Sequence, residues 1–403
     1  MNKIKGFKCF KCSKEYEENK IEYTCPSCGS NVDVVYNYEF IKSNLNQEFL
    51  KNNKDRSIRR YIDVLPISDI SKIPILDIGW TPLYHLPKLG KELGCPDLYI
   101  KDDGKNPSGS LKDRASVVVL VKALERGEKL ITGASTGNAG SSLACLAANV
   151  GLPVNIFVPE KAPRAKIAQL LIFGARVLMV KGTYDQAFEL CLQATQKYGW
   201  YNRNTGYNPY TREGKKVCSY EICEQLNFNI PDKVFIPVGD GNIISGIWKG
   251  FKDFYNLGII DKLPQLVAVQ SEGSSAIVNA INNNGKIKPV KANTIADSIS
   301  VDIPRDGTAA VKAVFESNGI GIRVSDNEII DTIKFLGSKT GIFGEPAGVT
   351  GLAGLRKMFK ENKINEKEKI CVLVTGNGLK DIDSAIKAVV TPNIIEPDLK
   401  FVT

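Results

Sequence analysis

Short apolar runs alternate with longer amphipathic stretches from Thr81 onward. Leu98–Lys101, Lys129–Gly133, Val154–Val158, Arg176–Val180, Lys233–Ile236, Leu266–Gln270 and Ile370–Val374 are rich in β-branched residues and predict strands. Between them, Ala115–Leu124, Ser141–Val150, Ala165–Phe173, Tyr184–Tyr198 and Ile244–Lys252 predict helices. Pro163 stands where the first turn of one helix should begin. Strand and helix in this rhythm predict an α/β protein, with parallel sheets covered by helices on both faces. The stretch from Tyr36 to Lys72 breaks the rhythm. It is rich in Asn, Lys and Asp, is punctuated by Pro66 and Pro74, and predicts a linker with one helix.

Composition narrows the class. The 403 residues are 43% hydrophobic and 24% charged, as in ordinary globular proteins. No apolar run approaches the roughly 18 residues of a membrane span. Met1–Phe10 carries basic residues with no apolar core behind them, so a secretory leader is not expected and the expected location is cytoplasmic. The net charge of +9 is dispersed, without the basic run of a nucleic-acid binder. It suits anionic small molecules better. His85 is the single histidine, which leaves little scope for Ser-His-Asp or Cys-His catalysis.

Four of the ten cysteines form two Cys-x-x-Cys pairs, Cys9 with Cys12 and Cys25 with Cys28, twelve residues apart. Two such knuckles supply four thiolates for a structural zinc, the zinc-ribbon pattern; two disulfides or free thiols are the alternatives. A metal staple would suit a segment with so few apolar residues of its own. The other six, Cys95, Cys145, Cys191, Cys218, Cys223 and Cys371, lie mostly in apolar context and are expected as buried thiols.

Lys101–Val117, KDDGKNPSGSLKDRASV, carries the candidate chemistry. Lys112 falls at the start of a predicted helix, where a cation is disfavoured. That suits a lysine of lowered pKa, or one whose charge is consumed in a Schiff base. Small-residue turns follow three predicted strands or precede helices: Ser135–Gly140 (STGNAG), Gly239–Asn242 (GDGN) and Thr375–Gly378 (TGNG). Turns of this kind let a ligand approach backbone closely. Gly239-x-Gly241 also begins a dinucleotide fingerprint, but Gly246 comes too late to complete it.

Together, SGSLKDR, STGNAG, GDGN and TGNGLKD resemble the fold-type II pyridoxal-5′-phosphate (PLP) enzymes, and within them most resemble the threonine synthase family. Gly79–Leu83, Gln270–Gly273 and Gly344–Ala347 support the resemblance, which covers roughly residues 75–390. It implies two three-layer domains with parallel sheets. The expected organisation is a zinc ribbon over 1–36, a linker with a helix over 37–74, and a catalytic region over 75–403 whose smaller subdomain spans roughly 113–225. It implies PLP on Lys112, with backbone N–H groups of Gly239, Asp240, Gly241, Asn242 and Ile243 at its phosphate. Asn138 is then expected at the O3′ oxygen and Thr375 at the pyridine nitrogen. Ser135 and Thr136 would hold the substrate carboxylate, and Lys166, Arg212 and Lys215 a substrate phosphate.

The implied reaction converts O-phosphohomoserine and water to threonine and phosphate, in a homodimeric lyase that binds neither nucleic acid nor membrane. A serine/threonine dehydratase or a β-replacement enzyme acting on a phosphoserine-like amino acid is the alternative. A nucleic-acid-binding module built on the ribbon is a rival of another class. Two departures stand out. GDGN is one residue shorter than the family's Gly-Asn-Ala-Gly-Asn. Thr211 stands where the family's Asn-Pro-x-Arg-x-Glu-Gly pattern has arginine, with Arg212 beside it.

Overall fold

The structure is a computed structural model that describes residues 2–135 and 137–402. Its first unit is an antiparallel sheet of β1 (Ile4–Cys9), β2 (Glu15–Tyr16) and β3 (Val32–Tyr36), in the order β2-β1-β3. Strict alternation along β3 turns Val32, Val34 and Tyr36 inward. The linker holds two short helices, Tyr38–Lys42 and Gln47–Asn52, where the sequence predicted one. The physical reason lies at Asn46, whose side chain accepts the Phe49 N–H at 2.9 Å and so starts a new helix.

The remaining strands are β4 (Leu83–His85), β5 (Leu98–Asp102), β6 (Ile131–Ala134), β7 (Val154–Pro159), β8 (Arg176–Val180), β9 (Tyr201–Asn202), β10 (Lys233–Pro237), β11 (Gln265–Ser271), β12 (Ile320–Val324) and β13 (Ile370–Val374). They form a six-stranded sheet, β12-β11-β10-β13-β5-β4, and a four-stranded sheet, β8-β7-β6-β9. All pairings are parallel except that of β4 with β5. The seven predicted strands are all present. Every residue of β13 is buried, the mark of a strand covered by helices on both faces. The helix predicted from Ala165 begins at Arg164, with Pro163 just outside it as the cap residue.

Parallel strands point their carboxyl ends the same way, and ligands of such sheets bind there. β6 ends into Ser135 and β10 into Val238 and Gly239. The helix Lys112–Glu125 lies almost wholly buried beside them. A fully buried ionic network fixes its start. The Arg114 guanidinium donates to Asp103, at 2.8 Å from both Nε and Nη2, and to Glu221, at 2.8 Å from Nη2. Lys101 Nζ reaches Glu221 at 2.7 Å, and Thr81 Oγ1 donates to Asp103 at 2.6 Å. Burial alone would raise the Glu221 carboxyl, but Arg114 and Lys101 hold it down to about 2.

Removing one member of such a network strands a buried charge. Glu221→Ala is therefore expected to lower the unfolding free energy by about 3–5 kcal/mol. The urea midpoint of purified protein measures it, and a loss below about 1 kcal/mol would show the network to be dispensable.

Candidate active site

A cavity of about 670 Å³, counted out to its mouth, opens at the carboxyl ends of β6 and β10. Lys112, Ala134, Ser135, Asn138, Thr205 and Tyr184 line it from the side of the four-stranded sheet. Lys215, Val238 through Ile243, and Asp297 through Val301 line it from the other. Expected residues brought together here are thus Lys112, Ser135, Asn138, Lys215, Gly239, Asp240, Gly241, Asn242 and Ile243. Thr136 falls outside the described residues.

Local structure explains each placement. Lys112 is the first residue of its helix. Ser135 Oγ accepts the N–H groups of Gly137 and Gly140 at 3.0 and 2.9 Å, which fixes the turn and leaves its own O–H to donate into the cavity. Gly241 has φ +90°, and a Cβ there would stand 2.7 Å from the Ala310 side chain. Glycine is what lets the chain pass directly into the helix Asn242–Asn256. The N-terminus of that helix faces the cavity with unpaired N–H groups and a positive dipole end.

Lys112 is lowered to about 8, first by burial and then by Arg203, with Asp240 and Glu345 opposing. Lys215 is fully buried and, among the described residues, bonds only to the Asn242 side chain; burial, Lys112 and Arg203 push its pKa well down. Asp240 is pushed up by burial, against its hydrogen bond from the Arg305 N–H at 3.1 Å and the nearby Lys112. A buried amine beside a helix N-terminus, with no carboxylate bonded to it among the described residues, can take up its proton together with an anion. A phosphorylated aldehyde bound to Lys112 fits this arrangement.

Several expected residues lie outside the lining or have their polar atoms engaged within the protein. Arg212 does not line the cavity. It lies behind the Asn242 helix, pairs with Asp306 at 2.6 Å and Asp33 at 3.1 Å, and stacks its guanidinium 4.4 Å over Phe10. Its donors are thus held on the ribbon side of the protein. Asp306 accepts from Asn31 of the ribbon at 3.0 Å, and through its other oxygen from Asn242 and Ser245 at 2.7 and 2.8 Å. Lys166 also stands behind the wall. Its ammonium bonds Asp297 at 2.9 Å and Ser298 at 3.0 Å, with Glu345 at 3.6 Å. Burial would lower it, but Glu345 and Asp297 outweigh burial and raise it. Gly137 makes room for it, since a Cβ there would meet the Lys166 Cδ at 1.9 Å. The Asn138 amide hydrogens, expected to face O3′, are directed at Glu345 and Ser298, and its Oδ1 is the buried atom left without a partner. Thr375 follows β13 outside the lining, and its carbonyl accepts the Leu111 N–H at 2.9 Å.

Sequence reasoning missed Arg203, Tyr184, Asp297, Ser298 and the carboxylate of Glu345. Glu345 lay in the quoted GEPA stretch, the one signal that could have drawn notice to it. Away from the cavity, the Sγ atoms of Cys9, Cys12, Cys25 and Cys28 all lie within 4.8 Å of one another. Cys9 and Cys28 are 3.5 Å apart and Cys12 and Cys25 3.6 Å, so none of these is a disulfide.

Residues 75–376 match the family of pyridoxal-phosphate dependent enzymes. The chain is 42% identical to a threonine synthase of Methanocaldococcus jannaschii, over 97% of each chain. It is 37% identical to one of Methanosarcina acetivorans, over 97% of this chain and 96% of that one. Among solved structures, threonine deaminase isoform 2 of Solanum lycopersicum superposes with a TM-score of 0.67 at 24% identity, over 76% of this chain and 82% of that one. Maize serine racemase gives 0.65 at 23%, over 74% and 88%. These two share the fold. Two parallel sheets with a helix-starting lysine between them thus define a PLP-dependent enzyme of fold type II. Within that class, the chain belongs to the threonine synthase family.

Only an unprotonated amine attacks an aldehyde. With Lys112 lowered to about 8, the neutral form predominates above that pH. Capture of pyridoxal 5′-phosphate by the apoprotein should accelerate as pH rises, reach half its maximum near pH 8 and level off above about pH 9. Stopped-flow absorbance of the bound chromophore checks this, and a profile still rising past pH 10 would contradict it.

Proposed function

We propose that this protein is a threonine synthase, a PLP-dependent lyase that converts O-phosphohomoserine and water to threonine and phosphate. The observation that carries the reading is the cavity around the buried Lys112, in a chain 42% identical to a threonine synthase over nearly its whole length. When bound, PLP supplies an aldehyde for Lys112 and an electron-withdrawing ring that stabilises negative charge on substrate carbon.

The protein's part follows from the geometry. The N-terminus of the Asn242 helix and Lys215 hold the cofactor phosphate, with Gly239–Ile243 as its backbone cradle. Ser135 donates its free O–H to the substrate carboxylate. Lys112 Nζ, released as a free amine, takes the Cα proton and returns protons to carbon at later steps. Its lowered pKa suits both duties near neutral pH. Thr375, at the carboxyl end of β13, remains our choice for the pyridine nitrogen: a hydroxyl there can donate without requiring a protonated ring, which favours elimination and replacement over transamination.

The four N-terminal thiols would hold one structural zinc. A tetrahedron with Zn–S bonds of ~2.3 Å has edges of roughly 3.8 Å, close to the spacing of these sulfurs. The free state of all ten cysteines suits a reducing, cytoplasmic setting. The working unit we propose is a homodimer, as the family resemblance implies.

Phosphate release from O-phosphohomoserine, beside O-phosphoserine, serine and threonine, tests the reaction. Wild type should act on the first and Lys112→Ala on none. Turnover of serine or threonine with O-phosphohomoserine ignored would replace this reading with a dehydratase. Metal analysis should find one zinc per chain, lost in Cys9→Ser and Cys25→Ser; full zinc in both variants would refute the site.

A further inference from the structure

The segment Asp297–Arg305 belongs to the six-stranded side, since it lies between β11 and β12. Its first five residues, Asp297 through Val301, line the cavity. Ser274 anchors it to its own side: Oγ accepts the Val301 N–H and donates to the Ile299 carbonyl, both at 3.0 Å. It also lies directly against the glycine loop, because a Cβ on Gly239 would stand 2.9 Å from Ile299 Cα.

Both ends of this segment are tied to the four-stranded side. At the near end, Lys166 bonds Asp297 at 2.9 Å and Ser298 at 3.0 Å, and Asn138 bonds Ser298 at 3.0 Å. At the far end stands Arg305. Its guanidinium donates to Asp185 and, at 3.4 Å, to Glu189, and it lies 4.3 Å over the Phe188 ring. Asp185, Phe188 and Glu189 are spaced i, i+3 and i+4 on the helix Tyr184–Tyr198, so they share one face. Tyr184, the first residue of that helix, lines the cavity.

An exposed ion pair alone would be worth little. Here the main chain of Arg305 is fixed independently. Its N–H donates to Asp240 at 3.1 Å, and its carbonyl accepts from Asn31 at 2.6 Å and lies 2.7 Å from where a Cβ on Gly206 would stand. The side chain is 19% exposed and meets two acids and a ring together. The two ends differ in access to water. Lys166 is 1% exposed, whereas Asp185 and Glu189 are 24% and 56% exposed. Parting of the two sides therefore begins at Arg305.

We propose that Arg305 is a positioning residue: by gripping the helix Tyr184–Tyr198, it keeps the strap Asp297–Arg305 drawn across the cavity and slows passage in and out. The inference rests on the cofactor site proposed above, whichever amino acid is the substrate.

The test uses holoenzyme and phenylhydrazine, which must enter the cavity to take the cofactor from Lys112 as a hydrazone. The loss of the cofactor's visible band gives the rate. Arg305→Met should strip about 3- to 30-fold faster than wild type, with Arg305→Lys in between. Asp185→Asn combined with Glu189→Gln, on the opposite side, should act in the same direction and add little to Arg305→Met. Added salt should speed stripping of wild type and leave Arg305→Met nearly unaffected. KM for O-phosphohomoserine should rise more than kcat falls. A merely structural arginine would lower the unfolding midpoint and leave the stripping rate alone, and an unchanged rate in Arg305→Met overturns the proposal. If that variant does not fold, an unchanged rate in the Asp185→Asn, Glu189→Gln protein does so. Faster stripping in an enzyme inert to O-phosphohomoserine would uphold the strap and overturn the reaction.

Discussion

Much of this structure depends on one buried guanidinium. Arg114 lies two residues beyond Lys112 and ties the start of that helix to Asp103, just past β5, and to Glu221 on the helix Val217–Gln225. Such a network adds little net stability over apolar packing, but it tolerates no displacement, because each shift strands a charge. That intolerance suits a lysine whose nitrogen must meet both a cofactor and a substrate carbon. The network lies out of solvent, so salt screens it little.

Several buried lysines elsewhere sit directly between acids. Lys216 lies between Glu213 and Asp253, and Lys249 between Asp33 and Glu213. At the cavity, by contrast, the amines of Lys112 and Lys215 have no carboxylate bonded to them among the described residues. Asp240 offsets part of their charge from within the shortened glycine loop, where burial drives its carboxyl upward. The site is thus built around ligands that bring their own negative charge.

Much of the fold was legible because buried parallel strands write themselves as continuous apolar runs, as Ile370–Val374 does. β4 and β9 escaped because two or three residues leave no pattern, and β12 because Gly321 and Arg323 interrupt its apolar face. Lys112 and the glycine turn at Gly239–Asn242 were readable as motifs, since their chemistry depends on local backbone. Arg212 misled because adjacency along the chain does not say which way a side chain points. On a short helix, the next residue faces about 100° away, here towards the ribbon.

Asp306 serves two masters. One oxygen receives the ribbon's Asn31 together with Arg212; the other receives Asn242 and Ser245 at the head of the cofactor-side helix. A carboxylate shared in this way makes the order of each neighbour a condition for the order of the other. Whatever holds the four N-terminal thiols together therefore also steadies the first turn of that helix. By reciprocity, an anion seated on that turn should make the thiol cluster harder to strip. The ribbon, some distance from the chemistry and contributing no atom to the cavity, is in thermodynamic terms a co-ligand of it.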